Sequence, residues 1–123
     1  MNEVQIIKHD QREIEISSGS MTRIAGVSKA IVGAEGIHLA IATIPSGCSA
    51  TPHFHTNCES AIYIINGSGK FLVGEKLEKE LYFESGDFFH VPSMAPHQPI
   101  NTGNVEVTMI VARNTPVEIV EEI

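Results

Sequence analysis

The sequence has few basic residues, little cysteine, no tryptophan and no long apolar run. Its 123 residues include 8 lysines and arginines against 15 acidic residues, so the formal net charge is -7. A surplus of negative charge repels phosphates, which excludes nucleic acids and anionic membranes as expected partners. The longest apolar stretches, such as residues 37–44, are far too short to span a bilayer.

The N-terminal residues and the cysteines indicate where the protein is expected to reside. Residues 1–10 are charged and mixed, without the basic start and apolar run of a signal peptide. Cys48 and Cys58 are too few for a disulfide framework, and we predict that both are reduced thiols. We therefore expect a soluble, cytoplasmic protein.

Short apolar or alternating runs recur along the chain, and most are followed by a turn signal rich in glycine, asparagine, proline or serine. No segment keeps a helical period over three turns. Many short strands at close spacing predict an antiparallel sandwich or barrel. The candidate strands are residues 23–27, 36–44, 51–55, 60–65, 70–73, 80–84, 87–91, 97–100, 105–111 and 117–120, with an edge strand at 13–17.

The stretch 51–59 concentrates side chains that can bind a metal ion. Residues two apart on a strand point to the same face, so in a regular strand His53, His55 and Glu59 project together. A divalent cation needs lone pairs that converge at about 2.0–2.2 Å, and imidazoles and carboxylates supply them. A His-x-His pair also occurs by chance, so these residues alone leave metal binding open.

Two spaced motifs resemble those of the cupin superfamily. The first has the form G-x5-H-x-H-x3/4-E-x6-G, and it is matched, with the last glycine one residue late, by Gly47, His53, His55, Glu59 and Gly67. The second has the form G-x5-P-x-G-x2-H-x3-N, and it is matched, with Met94 in place of its second glycine, by Gly86, Pro92, His97 and Asn101. The chain is most similar to the small RmlC-like cupins.

The resemblance implies an all-β protein with a double-stranded β-helix, or jelly roll, that holds one divalent metal ion. The ligands that it implies are His53, His55, Glu59 and His97, and the ion is Fe, Mn, Ni, Zn or Co. We accordingly predict a single cupin domain over residues 1–123, with its metal-binding core at about residues 26–120.

The late glycine leaves a second register open for the first motif. In that register Ser60 takes the position of the carboxylate, and the ion keeps three histidines only. Glu59 is preferred because it shares strand parity with His53 and His55.

Two further residues are candidates for a catalytic role. Tyr63 and Ile65 share parity with Glu59, so both could line the cavity, and Tyr63 could offer a phenolic donor. His90 could face the cavity as a general base. The alternatives are a core aromatic for Tyr63 and a surface histidine for His90.

The resemblance implies a metal-dependent protein that acts on a small oxygenated organic molecule, with a dioxygenase as the first hypothesis. A metal-dependent isomerase or lyase is one alternative, and a non-enzymatic protein that binds or senses a small ligand is another. We also expect a homodimer, because open jelly rolls expose strand edges and apolar sheet faces that pairing commonly buries.

Overall fold

The computed structural model describes residues 3–15 and 18–123, and over these residues the protein is almost entirely β-structure. The strands are β1 (Glu13–Glu15), β2 (Thr22–Val27), β3 (His38–Ile44), β4 (His53–His55), β5 (Ser60–Asn66), β6 (Gly69–Val73), β7 (Lys79–Phe83), β8 (Phe88–Val91), β9 (His97–Ile100), β10 (Val107–Arg113) and β11 (Val120–Glu122). A single helical turn, α1 (Lys29–Val32), and a 3-10 turn at His9–Gln11 complete the regular elements. The predicted all-β fold is confirmed.

Two antiparallel sheets form the jelly roll. One has six strands in the order β1-β2-β3-β10-β5-β8, and the other has five in the order β11-β4-β9-β6-β7. Neighbours in both sheets include strands far apart in sequence, as β3 and β10 are, which is the connectivity of a roll rather than of a meander. In the described part of the chain no helix is long and apolar enough to cross a membrane.

The core lies between the two sheets and follows the alternation of the strands. Every second residue of β3 and β10 is buried, and β5 shows the same period over its first five residues. Phe71 of β6 and Phe83 of β7 meet these side chains from the other sheet, with ring centroids 5.7 Å apart. Fully burying each large apolar side chain contributes about 1.5–3 kcal/mol, so this layer stabilises the roll that carries the site.

The two motif positions that depart from the family pattern keep their structural roles. Gly67, one residue late, has φ +92° and lies where an added Cβ would come within 2.9 Å of the Glu106 carbonyl and of Val107. Met94, in place of glycine, adopts φ +66° and donates its N–H to the His55 carbonyl at 2.7 Å. The turn before His97 therefore keeps a left-handed residue although no glycine is present.

The predicted strand at residues 117–120 is wrong in its position. Only Val120 belongs to β11, which runs on to Glu122 along β4. Residues 117–119 are irregular. The Thr56 N–H donates to the Ile119 carbonyl at 3.0 Å, and the Asn57 side chain holds the segment at two further points. Asn57 donates from Nδ2 to the Val117 carbonyl at 2.9 Å, and its Oδ1 accepts from the Ile119 N–H at 2.8 Å.

Candidate metal centre

Three of the four predicted ligands meet inside the roll. His53 and His55 lie on β4, two residues apart, and His97 lies on β9 directly opposite His53. All three are buried, and their ring centroids are 4.4–5.3 Å apart. One nitrogen of each ring lies within 4.8 Å of the other two. Strand parity and the antiparallel register thus place the three imidazoles together.

Backbone carbonyls orient two of these rings. The Nδ1–H of His53 donates to the Thr51 carbonyl at 2.6 Å, and the Nδ1–H of His97 donates to the Ala95 carbonyl at 2.9 Å. A carbonyl oxygen can only accept, so Nδ1 carries the proton in each neutral ring and Nε2 keeps its lone pair. Carbonyl partners of this kind are typical of histidines that bind metals.

Burial favours the neutral form of His53 and His97. Desolvation lowers the pKa of His97 to about 4, helped by the neighbouring His53 and His55. Desolvation also lowers the pKa of His53, although the bond to Thr51 opposes the shift. Metal binding needs unprotonated imidazoles, so these two residues are ready to bind at neutral pH without first losing a proton.

The donor set therefore fits a divalent transition-metal ion. Imidazole nitrogen is a ligand for Zn, Cu, Fe and Ni, and three nitrogens leave further positions open around an ion that takes four to six ligands. The residues that would hold it are His53, His55 and His97.

The structure does not bring Glu59 to the histidines, and its assignment as a ligand is corrected. Its carboxylate is 56% exposed, and Oε1 lies 2.8 Å from His90 Nε2 at the surface. The parity argument fails because residues 56–59 do not continue β4. They leave the five-stranded sheet and cross to β5 in the other sheet, so the alternation begins again at Ser60.

Both candidate catalytic residues also lie outside the cavity. Tyr63 is on the outer face of the six-stranded sheet, 4.7 Å from the ring of Phe88, and Ile65 is exposed on the same strand. His90 is 65% exposed and pairs with Glu59. The same one-residue error in parity led to the wrong prediction that Tyr63 and Ile65 line the cavity. On β5 the side chains that point inward are those of Ser60 and the even-numbered isoleucines.

Ser60 occupies the place that the second register assigned to it. It opens β5, is only 3% exposed, and lines the cavity with the three histidines. Its Oγ is buried without a hydrogen-bond partner among the described residues. A hydroxyl is a much poorer ligand than a carboxylate, so the candidate centre has three imidazoles and a neutral polar neighbour.

Sequence reasoning missed three charged residues at the site, because they are far apart in the chain. Glu118 reaches the cavity from the segment before β11, and its Oε2 lies 2.9 Å from His55 Nε2. Arg23 pairs with the same carboxylate through Nη1, and Arg113 Nε lies 3.1 Å from Oε2. Glu118 in turn lay within a predicted strand, where nothing distinguished it from a surface residue.

The electrostatics of this group favour a charged carboxylate. Burial acts to raise the pKa of Glu118, but the contact with His55 and the guanidinium groups of Arg113 and Arg23 outweigh it and lower the pKa to about 2. Desolvation lowers the pKa of Arg113, which Glu118 counteracts. The group is thus an ion cluster within the cavity at neutral pH.

The histidines, Ser60 and the ion cluster line one cavity of about 210 Å³. Much of the remaining wall is apolar and includes Ile62, Phe71 and Met109. Pockets for drug-sized ligands usually have about 300–1,000 Å³, so this one suits a smaller molecule.

Comparison with known proteins supports this description of the fold. The family described as Cupin domain matches residues 40–113, which is more than half of the chain and includes all three histidines. No curated protein sequence matches the chain.

Solved structures with the same fold are enzymes of differing chemistry. The polyketide cyclase RemF from Streptomyces resistomycificus has a TM-score of 0.81 at 17% identity, over 98% of this chain and 86% of that one. An oxalate decarboxylase from Lactobacillus farciminis, in a formate complex, has a TM-score of 0.78 at 20% identity, over 93% of this chain. An oxalate decarboxylase from Bacillus subtilis, described with Mn(II) centres, has a TM-score of 0.75 at 19% identity, over 93% of this chain.

The low coverage and identity limit what these similarities indicate about function. The chain spans 34% of the Lactobacillus farciminis enzyme and 30% of the Bacillus subtilis enzyme. At such low identities the likeness establishes the fold, and the reaction has to be argued from the site.

Proposed function

Because the chain belongs to the cupin family, we propose that it is a metal-dependent enzyme acting on a small oxygenated organic molecule, with a dioxygenase-type reaction as the one to test first. The observation that carries the proposal is the convergence of three buried imidazoles, two of them with lowered pKa values and with Nδ1 bonded to a carbonyl. Rings held in this way keep a lone pair on Nε2 that can bind a metal ion.

A bound divalent ion would supply a Lewis acid, or a redox centre if it is iron or manganese. Imidazoles bind metal ions in their neutral form, so His53, His55 and His97 would not offset the charge of the ion. An oxygen-bearing substrate group is the natural partner for that charge. The small volume of the cavity, about 210 Å³, and its apolar wall restrict the substrate to few atoms.

Five residues of the cavity would contact the ion or the substrate. His53, His55 and His97 would hold the ion. Ser60 offers a buried hydroxyl that can donate a hydrogen bond into the cavity. Glu118, which is ionised, can accept a proton or a hydrogen bond beside His55.

Oxygen uptake tests the reaction class. Protein loaded anaerobically with Fe(II) is mixed with a panel of small hydroxy, keto and catechol compounds, and dissolved oxygen is followed with an electrode. The proposal expects uptake that depends on one of the compounds and is lost in His97→Ala. Substrate conversion without oxygen uptake would identify an isomerase or lyase. Stoichiometric binding without any conversion would identify a ligand-binding protein and contradict the proposal.

A further inference from the structure

Two guanidinium groups converge on one carboxylate beside the candidate metal centre. Arg23 and Arg113 both contact Glu118, and their side chains are only 13% and 5% exposed. A charge that is buried so deeply costs several kcal/mol unless an opposite charge lies against it. This part of the cavity therefore requires anions. Glu118 contacts both guanidinium groups, and Glu15 supplies a second carboxylate, with its Oε1 2.7 Å from Arg23 Nε.

The fit of Glu118 is incomplete. Arg113 contacts His38 Nδ1 through Nη1 at 3.2 Å, but its Nε is buried without an aligned acceptor among the described residues. The Oε2 of Glu118, 3.1 Å away, is likewise buried without an aligned donor. Arg23 also donates from Nε to Glu15 at 2.7 Å, so the unmet hydrogen bonds are those of Arg113, whose guanidinium carries five N–H donors. Glu118 thus satisfies the charge of this site without satisfying its hydrogen bonds.

We propose that Arg23 and Arg113 form an anion subsite, which binds a carboxylate of the substrate in place of Glu118. The inference rests on the proposed function and deepens it, because it names the substrate class as small organic carboxylates. The planar fork of a guanidinium matches a carboxylate in a bidentate pair, which is the arrangement that Glu118 does not achieve. The subsite shares one cavity with the three histidines, so a carboxylate held there keeps the rest of a small substrate beside them.

The exchange needs no unfolding of the segment that carries Glu118. Asn57 holds the backbone on both sides of it, through the Val117 carbonyl and the Ile119 N–H. Only the side chain has to rotate. Glu118 also lines a second pocket, more open than the first, whose lining includes Lys29. The displaced carboxylate can therefore turn towards Lys29, in a pocket that Glu15 and the two arginines also line.

Titration of the protein with malonate, a small dicarboxylate, tests the subsite. Chemical shift changes are followed by NMR, which measures weak affinities, in metal-free protein and again in zinc-loaded protein. We expect Glu118→Gln to bind malonate at least tenfold more tightly than the wild type, because it removes the competing charge and takes from Arg113 its carboxylate partner among the described residues, while Glu15 stays paired with Arg23. We expect Arg23→Gln to bind at least tenfold more weakly.

The matched control is Glu59→Gln, which removes one carboxylate of the same size from the surface pair with His90. It should bind malonate as the wild type does. The gain expected of Glu118→Gln cannot come from a misfolded protein, so the test holds even if Arg23→Gln proves unstable.

The metal-free measurement separates this inference from the proposed function. Unchanged malonate affinity in Glu118→Gln and Arg23→Gln would overturn the subsite. A second contrary result is malonate binding that is seen only in zinc-loaded protein and is equally strong in both variants. It would mean that the ion holds the anion by itself. That result would overturn the subsite but would leave the metal centre intact. The expected changes in a protein that binds no metal would support the subsite and contradict the proposed function.

Discussion

His97 is buried next to two other imidazoles and an aromatic ring, so its neutral form is strongly favoured. Its pKa is about 4 in the folded protein and about 6.5 in an unfolded chain. Between these two values the unfolded state binds more protons, so acid favours unfolding. The shift corresponds to at most about 3 kcal/mol of stability, present above pH 6.5 and lost as the pH falls towards 4.

We therefore predict that the metal-free protein loses stability between pH 6.5 and pH 4, and that His97→Gln loses less. His53 contributes in the same direction, because its pKa is also lowered by burial. Glu118 adds a further loss below pH 4.5, since its carboxylate has to be protonated against a pKa of about 2. Urea unfolding at pH 7 and at pH 4.5 measures the difference. An equal fall in both proteins would show that His97 is not a buried neutral ring.

Glu59 and Ser60 are neighbours in sequence but lie in opposite surroundings, one at the surface and one in the cavity. We predict that Glu59→Gln keeps the metal affinity of the wild type.

Ser60→Ala should also keep the metal and should raise the free energy of unfolding by about 1 kcal/mol, because a buried hydroxyl that has no partner among the described residues is destabilising.

Competitive chelator titrations and urea unfolding measure these two quantities. A marked loss of metal affinity in Glu59→Gln would restore the four-ligand site that the resemblance to the cupins implied. A loss confined to Ser60→Ala would make the serine part of the centre.

The elements that build the site are short, and tight turns set their register. Gly67 separates β5 from β6 with φ +92°, and any Cβ there would meet the backbone of Glu106 and Val107. We predict that Gly67→Ala destabilises the protein by about 2 kcal/mol or more, through a strained φ and a steric clash. Gly26 is the control, because its φ is not positive and no atom of the described residues lies within 4 Å of an added Cβ. Equal urea midpoints for Gly67→Ala and Gly26→Ala would contradict this account of the turn.

Most strands could be predicted from the sequence, because alternation and turn residues are local signals. Strand β9 begins and ends where it was expected, and His53, His55 and His97 meet as parity and motif spacing indicated. The prediction of Glu59 as a fourth ligand failed, because the chain changes sheets between β4 and β5 and parity does not carry across a crossing. The ion cluster has no local signal either. Arg23 and Arg113 approach Glu118 only through the sheet order and the side-chain clamp of Asn57.

At the scale of the whole molecule, an apolar row crosses the outer face of the six-stranded sheet. Successive strand partners in this row, which we call the outer row, are Ile14, Ile24, Ile41, Ile110, Tyr63 and Phe88. Ile14 and Phe88 are 76% and 78% exposed, and Tyr63 is 37% exposed. An apolar row of this length favours burial against another sheet, and a second copy of the chain offers the same row under two-fold symmetry.

We predict that the protein is a homodimer through the outer row and that Phe88→Glu makes it a monomer. The substitution places a charge in the contact without disturbing the core, since Phe88 is exposed in one chain. Tyr82→Glu, on β7 of the other sheet and 69% exposed, should leave the dimer intact. Light scattering at micromolar concentration decides it. A wild-type mass near the 13.3 kDa of one chain would refute the dimer.

Metal content after purification, measured by elemental analysis, tests the central claim most directly, because the proposed function depends on an ion held by the three imidazoles. The wild type should hold close to one divalent transition-metal ion per chain. His53→Ala and His97→Ala should lose it, whereas His9→Ala, at an exposed position outside the cavity, should retain it. Stoichiometric metal in both ligand variants, or none in a wild type supplied with Fe, Mn, Ni, Zn and Co, would contradict a three-histidine metal centre.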